Sequence, residues 1–262
     1  MKNIILCFSV LTVVSCDNSS VKEKPDMPGA YFMTVQILND GKEDTKYTTL
    51  KQLKIYTKDF MMYTQVNSVD SVSAFGIGSY IADTGTVIEN IIYRSRDTIY
   101  NNTPVSYKLA ITKKPEGYGQ VIPQITIDFQ KYKLTENYQV VGKAVKSPLD
   151  GMWKLTSSYK VNGKDTVRDV RTQYKAFYMG YFMWGHTIKD SASKNHTGIG
   201  FGTFETAGNN KIKETDLNST YQIIAGETFD VNLEMTGTDH YSQTITNADG
   251  TKGVEYYERF KK

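Results

Sequence analysis

Hydrophobic and polar residues alternate along much of this chain, most clearly in its second half. Apolar side chains take every second position across most of residues 153–161 and again across residues 229–235. A period of two is typical of a β-strand with one face on a core. Turn signals such as Asn162-Gly163 separate the strand patterns at spacings of about ten residues. Neither half shows a helical stripe, so the pattern predicts an all-β protein.

An internal repeat divides the chain. Residues 52–63 (QLKIYTKDFMMY) align with residues 173–184 (QYKAFYMGYFMW) at a constant offset of 121, which is 173 minus 52. A downstream block repeats in the same order, with Gly78, Tyr80, Gly85 and Glu89 matched by Gly202, Phe204, Gly208 and Glu214. Chance similarity between two β-rich stretches is the alternative. The repeat predicts two tandem domains, residues 29–142 and 150–262, joined by a short polar linker.

The number of strands narrows the architecture. Each half contains about eight strand candidates separated by tight turns, which indicates an up-and-down barrel or a sandwich. Eight strands close a barrel with room for side chains or for one small ligand. We therefore expect two tandem antiparallel up-and-down β-barrels of about eight strands each.

The first residues follow a different pattern. Lys2 precedes an apolar run at positions 4–14, which is too short for a bilayer core that needs about 20 residues. We predict that residues 1–15 are a signal peptide. The run ends Val-Val-Ser-Cys at positions 13–16, which resembles the lipobox of bacterial lipoproteins. An ordinary signal peptide with a chance cysteine is the alternative. The resemblance implies that Cys16 becomes the lipidated N-terminus of an exported protein.

A polar stretch follows this cysteine. Residues 16–28 are rich in Ser, Lys, Glu, Asp and Pro, and we predict that they form a flexible tether. Two or more acyl chains hold a protein stably at a membrane, so the expected partner is a membrane, through lipid on Cys16. We expect a place in the cell envelope, with the outer membrane or the cell surface favoured over the inner membrane. Neither the membrane nor the leaflet follows from the sequence.

The second half is similar to lipocalin-like lipoprotein domains common in Bacteroidetes. The matching motifs are Gly151-Met152-Trp153-Lys154-Leu155, the segment from Tyr178 to Trp184, Gly202-Thr203-Phe204, and the end of the last strand at residues 255–259. The resemblance implies a lipocalin-like barrel in which Trp153 on the first strand packs against Arg259 on the last. The first half has Tyr31 in place of the tryptophan and is a degenerate copy.

Composition excludes several classes of function. The formal net charge is +3, from 31 basic and 28 acidic residues without a basic block, which argues against nucleic acid as a partner. The two cysteines, Cys7 and Cys16, leave no disulfide for the mature domains. Nineteen Tyr and eleven Phe favour half-buried strands.

Catalytic motifs are missing from the sequence. The three histidines, His186, His196 and His240, have no metal-site spacing and are interpreted as surface or turn residues. The glycines of residues 198–202 are interpreted as part of a bent barrel strand. Glu214 and Asp216 share a strand face but are interpreted as solvated carboxylates. We therefore predict no catalytic residue, no metal and no cofactor, and expect that the protein is not an enzyme.

One aromatic segment is apolar on both faces. If residues 177–184 form one strand, Tyr178, Phe182 and Trp184 share a face, and Phe177 and Met183 lie on the other. A water-facing strand should alternate, so one face must be covered by the other domain, by a loop, or by an outside partner such as an envelope protein or a membrane.

Three functions remain open. The first is a non-catalytic module that binds a small apolar or amphipathic ligand in the second barrel, at Tyr178, Phe182, Trp184 and Phe204. The second is an envelope scaffold or complex subunit with filled barrels that acts through protein contacts. The third is an enzyme built on a lipocalin-like cup. A cavity of about 300 Å³ or more, lined by Phe182 and Trp184, would favour the first. A filled interior with an exposed aromatic face would favour the second.

Overall fold

Alternation of buried and exposed side chains produces strands throughout the part of the chain that the computed structural model describes, residues 24–66, 73–95, 104–127, 129–142, 145–192, 194–208 and 210–261. Within these ranges every regular element is a β-strand. No helix among them is long and apolar enough to cross a membrane. The predicted signal peptide and Cys16 lie outside the described residues.

The first half forms one closed sheet. Its strands are β1 (Gly29–Asn39), β2 (Asp44–Tyr47), β3 (Lys51–Tyr56), β4 (Phe60–Val66), β5 (Ser73–Asp83), β6 (Thr86–Arg94), β7 (Val105–Lys114), β8 (Gly117–Ile127) and β9 (Gln130–Val141). Strands β3 to β9 pair antiparallel in chain order, β1 pairs with both β3 and β9, and β2 extends the far half of β1. The result is an eight-stranded barrel with one extra strand.

The second half repeats this topology. Its strands are β10 (Gly151–Asn162), β11 (Asp165–Asp169), β12 (Thr172–Tyr178), β13 (Tyr181–Lys189), β14 (Asn195–Thr206), β15 (Lys211–Ser219), β16 (Thr228–Thr236), β17 (His240–Thr246) and β18 (Lys252–Arg259). β10 closes the barrel on β18, and β11 is the additional strand. The prediction of two tandem antiparallel up-and-down barrels is confirmed.

The repeat extends to irregular features of the strands. The first strand of each barrel has a register shift, between Met33 and Val35 in β1 and between Leu155 and Ser157 in β10. A second register shift also recurs, at Gly78 in β5 and at Gly202 in β14. At both glycines an added Cβ would lie about 2 Å from the backbone of the partner strand. Only glycine fits so close a backbone approach. The two halves are thus built on one bulged template.

The described residues also correct the predicted tether. Met27 is buried in the core of the first barrel, and its carbonyl oxygen accepts a hydrogen bond from the Tyr31 hydroxyl at 3.0 Å. The packed structure therefore begins before Gly29, and the end of the stretch assigned to residues 16–28 is not a tether.

The aromatic segment is a hairpin, and the prediction of one strand over residues 177–184 is wrong. β12 ends at Tyr178, Met179 and Gly180 turn with positive φ values of 54° and 78°, and β13 begins at Tyr181. Residues paired across a hairpin share a face, and Phe177 pairs with Phe182. Both rings point into the barrel, whereas Tyr178 points out, because the turn resets the alternation.

The outer apolar faces of the two barrels cover each other. One cluster of buried residues contains side chains of β3, β4 and β5 together with side chains of β12, β13 and β14. The Phe75 ring lies over Gly185, where an added Cβ would come within 2.4 Å of it. Phe60 meets Phe260 edge to face at 5.0 Å between ring centroids. Three ways to cover the second apolar face were considered, namely the other domain, a loop and an outside partner. In the structure the other domain covers it.

Trp153 and Arg259 meet at the closed end of the second barrel. Trp153 is fully buried, and its Nε1 donates a hydrogen bond to the Leu149 carbonyl at 2.7 Å. The Arg259 Cζ lies 4.1 Å from the indole centroid, and its guanidinium donates to the Asp150 carbonyl at 2.8 Å. The guanidinium thus joins Trp153, the residue that plugs this end of the barrel, to the loop that precedes β10.

Candidate ligand site in the second barrel

The interior of the second barrel holds a cavity of about 270 Å³. The closed-end cluster that contains Trp153, Phe177 and Phe182 fills the rest of the interior. One part of the cavity wall is charged and consists of Arg171, Lys175, Glu214, Asp216 and Glu255. Another part is aromatic and aliphatic and consists of Trp184, Tyr221, Ile224, Phe229 and Ile245. A wider depression of about 440 Å³ between Tyr159 and Tyr256 is open outer surface.

A buried ion pair lies in the cavity wall. The Lys175 Nζ is 2.6 Å from the Glu214 Oε1 and also donates to the Gln243 Oε1 at 3.2 Å. The Gln243 amide donates to Glu255 at 2.7 Å, and the Tyr257 hydroxyl donates to the same carboxylate at 2.6 Å. Burial raises the pKa of Glu214, and the Lys175 ammonium opposes this rise. Each charge therefore has partners, as burial in a barrel requires.

The first barrel contains the same network. The Lys54 Nζ is 2.6 Å from the Glu89 Oε1, and Gln120 donates to Glu136 at 2.5 Å. The Tyr138 hydroxyl donates to the Glu136 carboxylate at 2.9 Å. Strand register equates these residues with Lys175, Glu214, Gln243, Glu255 and Tyr257. A network present in both barrels is part of the shared template.

Several lining positions differ between the barrels, and four of them lie on or next to strands β12, β13 and β15. Arg171, Trp184, His186 and Asp216 of the second barrel take the places of Leu50, Tyr63, Gln65 and Ile91 of the first. Leu50 and Ile91 belong to the packed core of the first barrel. The second barrel thus has two ionisable groups where the first has aliphatic filling.

Asp216 is the exceptional carboxylate of the cavity. Its side chain is 4% exposed, and its Oδ1 has no hydrogen-bond partner among the described residues. Burial, together with the nearby Glu214 carboxylate, raises the pKa of Asp216 to about 7, although Lys175 and a hydrogen bond from Trp184 oppose the rise. An unsatisfied buried carboxylate is costly and requires an explanation.

Aromatic rings form a flat wall beside Asp216. The indole of Trp184 stacks on the His186 ring at 5.3 Å between centroids and lies parallel to the Tyr221 ring at 6.0 Å. An added Cβ at Gly198 or Gly200 would come within 2.4 to 2.5 Å of the His186 or Trp184 ring. The interpretation of these glycines as positions in a crowded β-strand is consistent with this geometry.

His186 is buried, and its interpretation as a surface or turn residue is wrong. It lies on β13, and its Nε2 is 2.8 Å from the Tyr221 hydroxyl. Burial lowers the pKa of His186 to about 4, and the nearby Arg171 charge adds to this. The ring is therefore neutral at ordinary pH and carries no charge into the cavity.

Comparison with known proteins gives little further information. No protein-family model matches the chain, and no curated protein matches it. Among solved structures, a protein of unknown function of the DUF3598 family from Nostoc punctiforme is similar, with 9% identity over 89% of this chain and 96% of that chain. The TM-score is 0.26, which supports no inference about fold or function.

The structure separates the four residues predicted to bind a ligand. Trp184 lines the cavity. Phe182 and Phe204 lie in the packed cluster of the closed end, outside the cavity lining. Tyr178 lies on the outside of the barrel, against the interface between the barrels. Of the four, Trp184 is the residue that borders the cavity, and it also packs against the cluster that contains Phe182 and Phe204.

Sequence reasoning missed the charged side of the cavity. Glu214 and Asp216, interpreted as solvated carboxylates, are both buried and face inward. The available signal was a lysine in the middle of an apolar strand that recurs in the repeat, Lys54 and Lys175. A buried lysine needs a partner, which points to inward carboxylates elsewhere in each barrel.

The remaining candidates lie elsewhere. His196 is exposed and 2.8 Å from Asp190, and His240 is exposed at the start of β17. The described part of the chain contains no group of three or more His, Cys, Asp or Glu residues placed to hold a metal ion.

Proposed function

We propose that this protein is a lipid-anchored envelope lipoprotein whose second barrel binds a small amphipathic molecule. The observation that carries the proposal is the cavity of about 270 Å³ with one charged wall and one aromatic wall. Ligand sites usually combine an apolar enclosure with a few converging polar groups. The volume lies just below the usual lower limit of about 300 Å³, so the ligand is small.

The polar wall favours one of the two ligand classes considered. A wholly apolar ligand would cover Asp216 without offering it a hydrogen-bond donor, and burying an unpaired polar group costs about 1 to 3 kcal/mol or more. A molecule with a polar end and an apolar body compensates Asp216 and still covers Trp184. An amphipathic ligand is therefore favoured over an apolar one.

The comparison between the barrels favours binding over a purely structural role. A barrel that acts only as a scaffold is best filled, as the first barrel is at Leu50 and Ile91. The second barrel keeps Arg171 and Asp216 at those positions and has a cavity beside them. Departures from good packing are typical of functional sites.

The proposed lipid anchor on Cys16 would hold the protein at a membrane surface. Lipid on Cys16 followed by about ten residues that span at most about 35 Å keeps the first barrel close to the membrane surface. Met27, already packed in that barrel, sets the end of this span. Cys16→Ala should move the protein to the soluble fraction and abolish incorporation of labelled fatty acid. Unchanged membrane fractionation would contradict the anchor.

Binding is testable through the tryptophans. The chain contains two, and Trp184 lines the cavity whereas Trp153 is buried at the closed end. In a soluble chain from residue 17 onward, single-ring amphipathic molecules should change the tryptophan fluorescence and raise the melting temperature. Both effects should be lost or strongly reduced in Trp184→Phe. If no molecule of any charge changes either signal, the binding function is wrong.

A further inference from the structure

Charges in the cavity wall do not balance. The wall contains three carboxylates, Glu214, Asp216 and Glu255, and two permanent cations, Lys175 and Arg171. Lys175 pairs with Glu214, and Arg171 forms an ion pair with Glu255 and another with Asp169. His186 is neutral because burial holds its pKa at about 4. The pairing leaves Asp216 as the carboxylate without a cation.

The other cations of the wall are engaged with other carboxylates. The Lys175 ammonium donates to Glu214 and to Gln243, and the Arg171 guanidinium donates to Asp169, Glu255 and Gln173. The Asp216 Oδ1 meanwhile has no hydrogen-bond partner in the part of the chain that the structure describes. A positive group brought from outside would meet this need, because Asp216 is one of the residues that line the cavity.

The first barrel shows that the fold itself does not need this carboxylate. Its equivalent position is Ile91, which is buried in the core, while the ion pair between Lys54 and Glu89 is retained. Asp216 is therefore separable from the shared network. Its retention in the second barrel costs stability, which suggests selection for a ligand.

We propose that Asp216 recognises a small organic ammonium ion, a primary amine joined by a short aliphatic chain to an aromatic ring that lies against Trp184. The proposal rests on the ligand-binding function proposed above and specifies the class of ligand. The ammonium supplies the missing positive charge and hydrogen-bond donors to the carboxylate. The ring covers the apolar wall, where indole faces also attract cations.

The charge of Asp216 makes this recognition depend on pH. Burial and Glu214 raise its pKa to about 7, so the carboxylate becomes fully charged only above neutrality. The other ionisable groups facing the cavity are Lys175, Arg171 and Glu255, which are paired, and His186, which stays neutral. Tyr221 also faces it, and burial raises the pKa of this hydroxyl further above neutrality. An amine that remains protonated throughout should therefore bind more tightly at pH 8 than at pH 6.

The test compares three probes of one shape on the soluble chain from residue 17 onward. They are phenethylamine, 2-phenylethanol and phenylpropionate, which differ in the charge at the end of the side chain. Calorimetry and tryptophan fluorescence should show that the amine binds at least tenfold more tightly than the alcohol, and the acid more weakly still. Amine affinity should rise severalfold from pH 6 to pH 8, and alcohol affinity should not.

Variants locate the effect. Asp216→Asn should weaken amine binding at least tenfold, remove its pH dependence and leave alcohol binding within about twofold. Asp230→Asn is the matched control, because it makes the same chemical change at an exposed position on β16 of the same barrel. Asp216→Ile introduces the residue of the first barrel and provides a second variant if the first folds poorly. Both Asp216 variants should melt at or above the wild-type temperature.

Different results overturn different parts of the proposal. Alcohol or acid binding as tight as amine binding, with loss in Trp184→Phe, would keep the ligand site and refute the ammonium. Amine binding that survives both Asp216 variants would refute the role of Asp216. A marked loss of stability in both Asp216 variants would make Asp216 a structural residue.

Discussion

Trp153 and Trp184, the two tryptophans of the second barrel, have different environments. Trp153 is fully buried, bonded through Nε1 to Leu149, and covered by Arg259. Trp184 is only partly buried, beside the cavity. The first barrel repeats the plug with Tyr31 bonded to Met27, and Val140 takes the place of Arg259. The same residue type therefore has two roles: Trp153 packs one end of the barrel, and Trp184 borders the cavity at the other.

Truncation of the two tryptophans should separate these environments. Trp153→Ala should cost about 3 to 5 kcal/mol of unfolding free energy, because it leaves a large cavity in a packed cluster. Trp184→Ala should cost clearly less, since its side chain is partly exposed. Arg259→Lys should be a mild version of Trp153→Ala, because lysine keeps the charge and loses the planar stack. Denaturant curves measure all three, and equal costs for both tryptophans would contradict the assignment.

Asp216 should make stability depend on pH. Its pKa is about 7 in the folded protein and ordinarily 3.8, so the folded state retains a proton that the unfolded state releases. Stability from this group is complete below about pH 4 and is lost as pH rises to about 7. Asp216→Asn should therefore be increasingly stabilising from pH 4 to pH 7, by up to about 4 kcal/mol at 1.36 kcal/mol per pK unit.

Melting temperatures or denaturant midpoints of the two proteins from pH 4 to pH 8 provide the measurement. His186 also affects the pH dependence: because burial lowers its pKa to about 4, its contribution to the stability of the protein is lost as pH falls below about 6.5. It is present in both proteins, so its contribution cancels in the difference. A constant difference across this range would contradict a raised pKa at Asp216.

At the scale of elements, the sequence predicted the strands well where one face is polar. β16 shows the expected alternation, with Val231 and Leu233 buried and the alternating polar residues Asp230, Asn232 and Glu234 exposed. The hairpin of β12 and β13 was missed for a physical reason. Both its faces are covered, so the alternation disappears, and its turn at Met179-Gly180 lacks the usual Asn-Gly or Asp-Gly signal.

Gly185 on β13 determines how closely the barrels approach. The Phe75 ring of β5 occupies the space of a side chain there. Gly185→Val should destabilise the full chain by about 1 to 3 kcal/mol, because the larger residue pushes Phe75 out of place. Phe75→Ala should also destabilise, by about 3 to 5 kcal/mol.

A double-mutant cycle tests this contact. Combining Gly185→Val with Phe75→Ala should cost less than the sum of the single changes, since the valine fills part of the space that the ring leaves. Denaturant midpoints of the four proteins give the coupling. Strict additivity would show that the two residues do not share this space in solution.

At the scale of the whole molecule, the described residues form three packed clusters, one in each barrel and one between the barrels. The second barrel closes its own hydrogen-bonded sheet through β10 and β18. A fragment of residues 148–262 should therefore fold, as near-UV circular dichroism would show. It should also self-associate, because Met183, Ile199 and Phe201 lose their cover from the first barrel.

Sedimentation of this fragment at several concentrations measures the self-association. Replacing Met183 and Phe201 by polar residues should return it to a monomer, and the same changes in the full chain should be strongly destabilising. An unfolded fragment beside a folded full chain would mean that the two barrels fold only as one unit.

The sequence alone determined the all-β class and the two tandem barrels, because period-two patterns, turns and repeats are local signals. The tertiary structure decided which apolar faces meet and which charges enter the second barrel. Met183 and Phe182 are both apolar neighbours on β13, yet one packs against the other barrel and one against the closed end. Likewise, Asp216 looks like any strand carboxylate until barrel closure places it beside Lys175 and Trp184. Such properties depend on contacts between residues distant along the chain, and those contacts exist only after the sheet has closed.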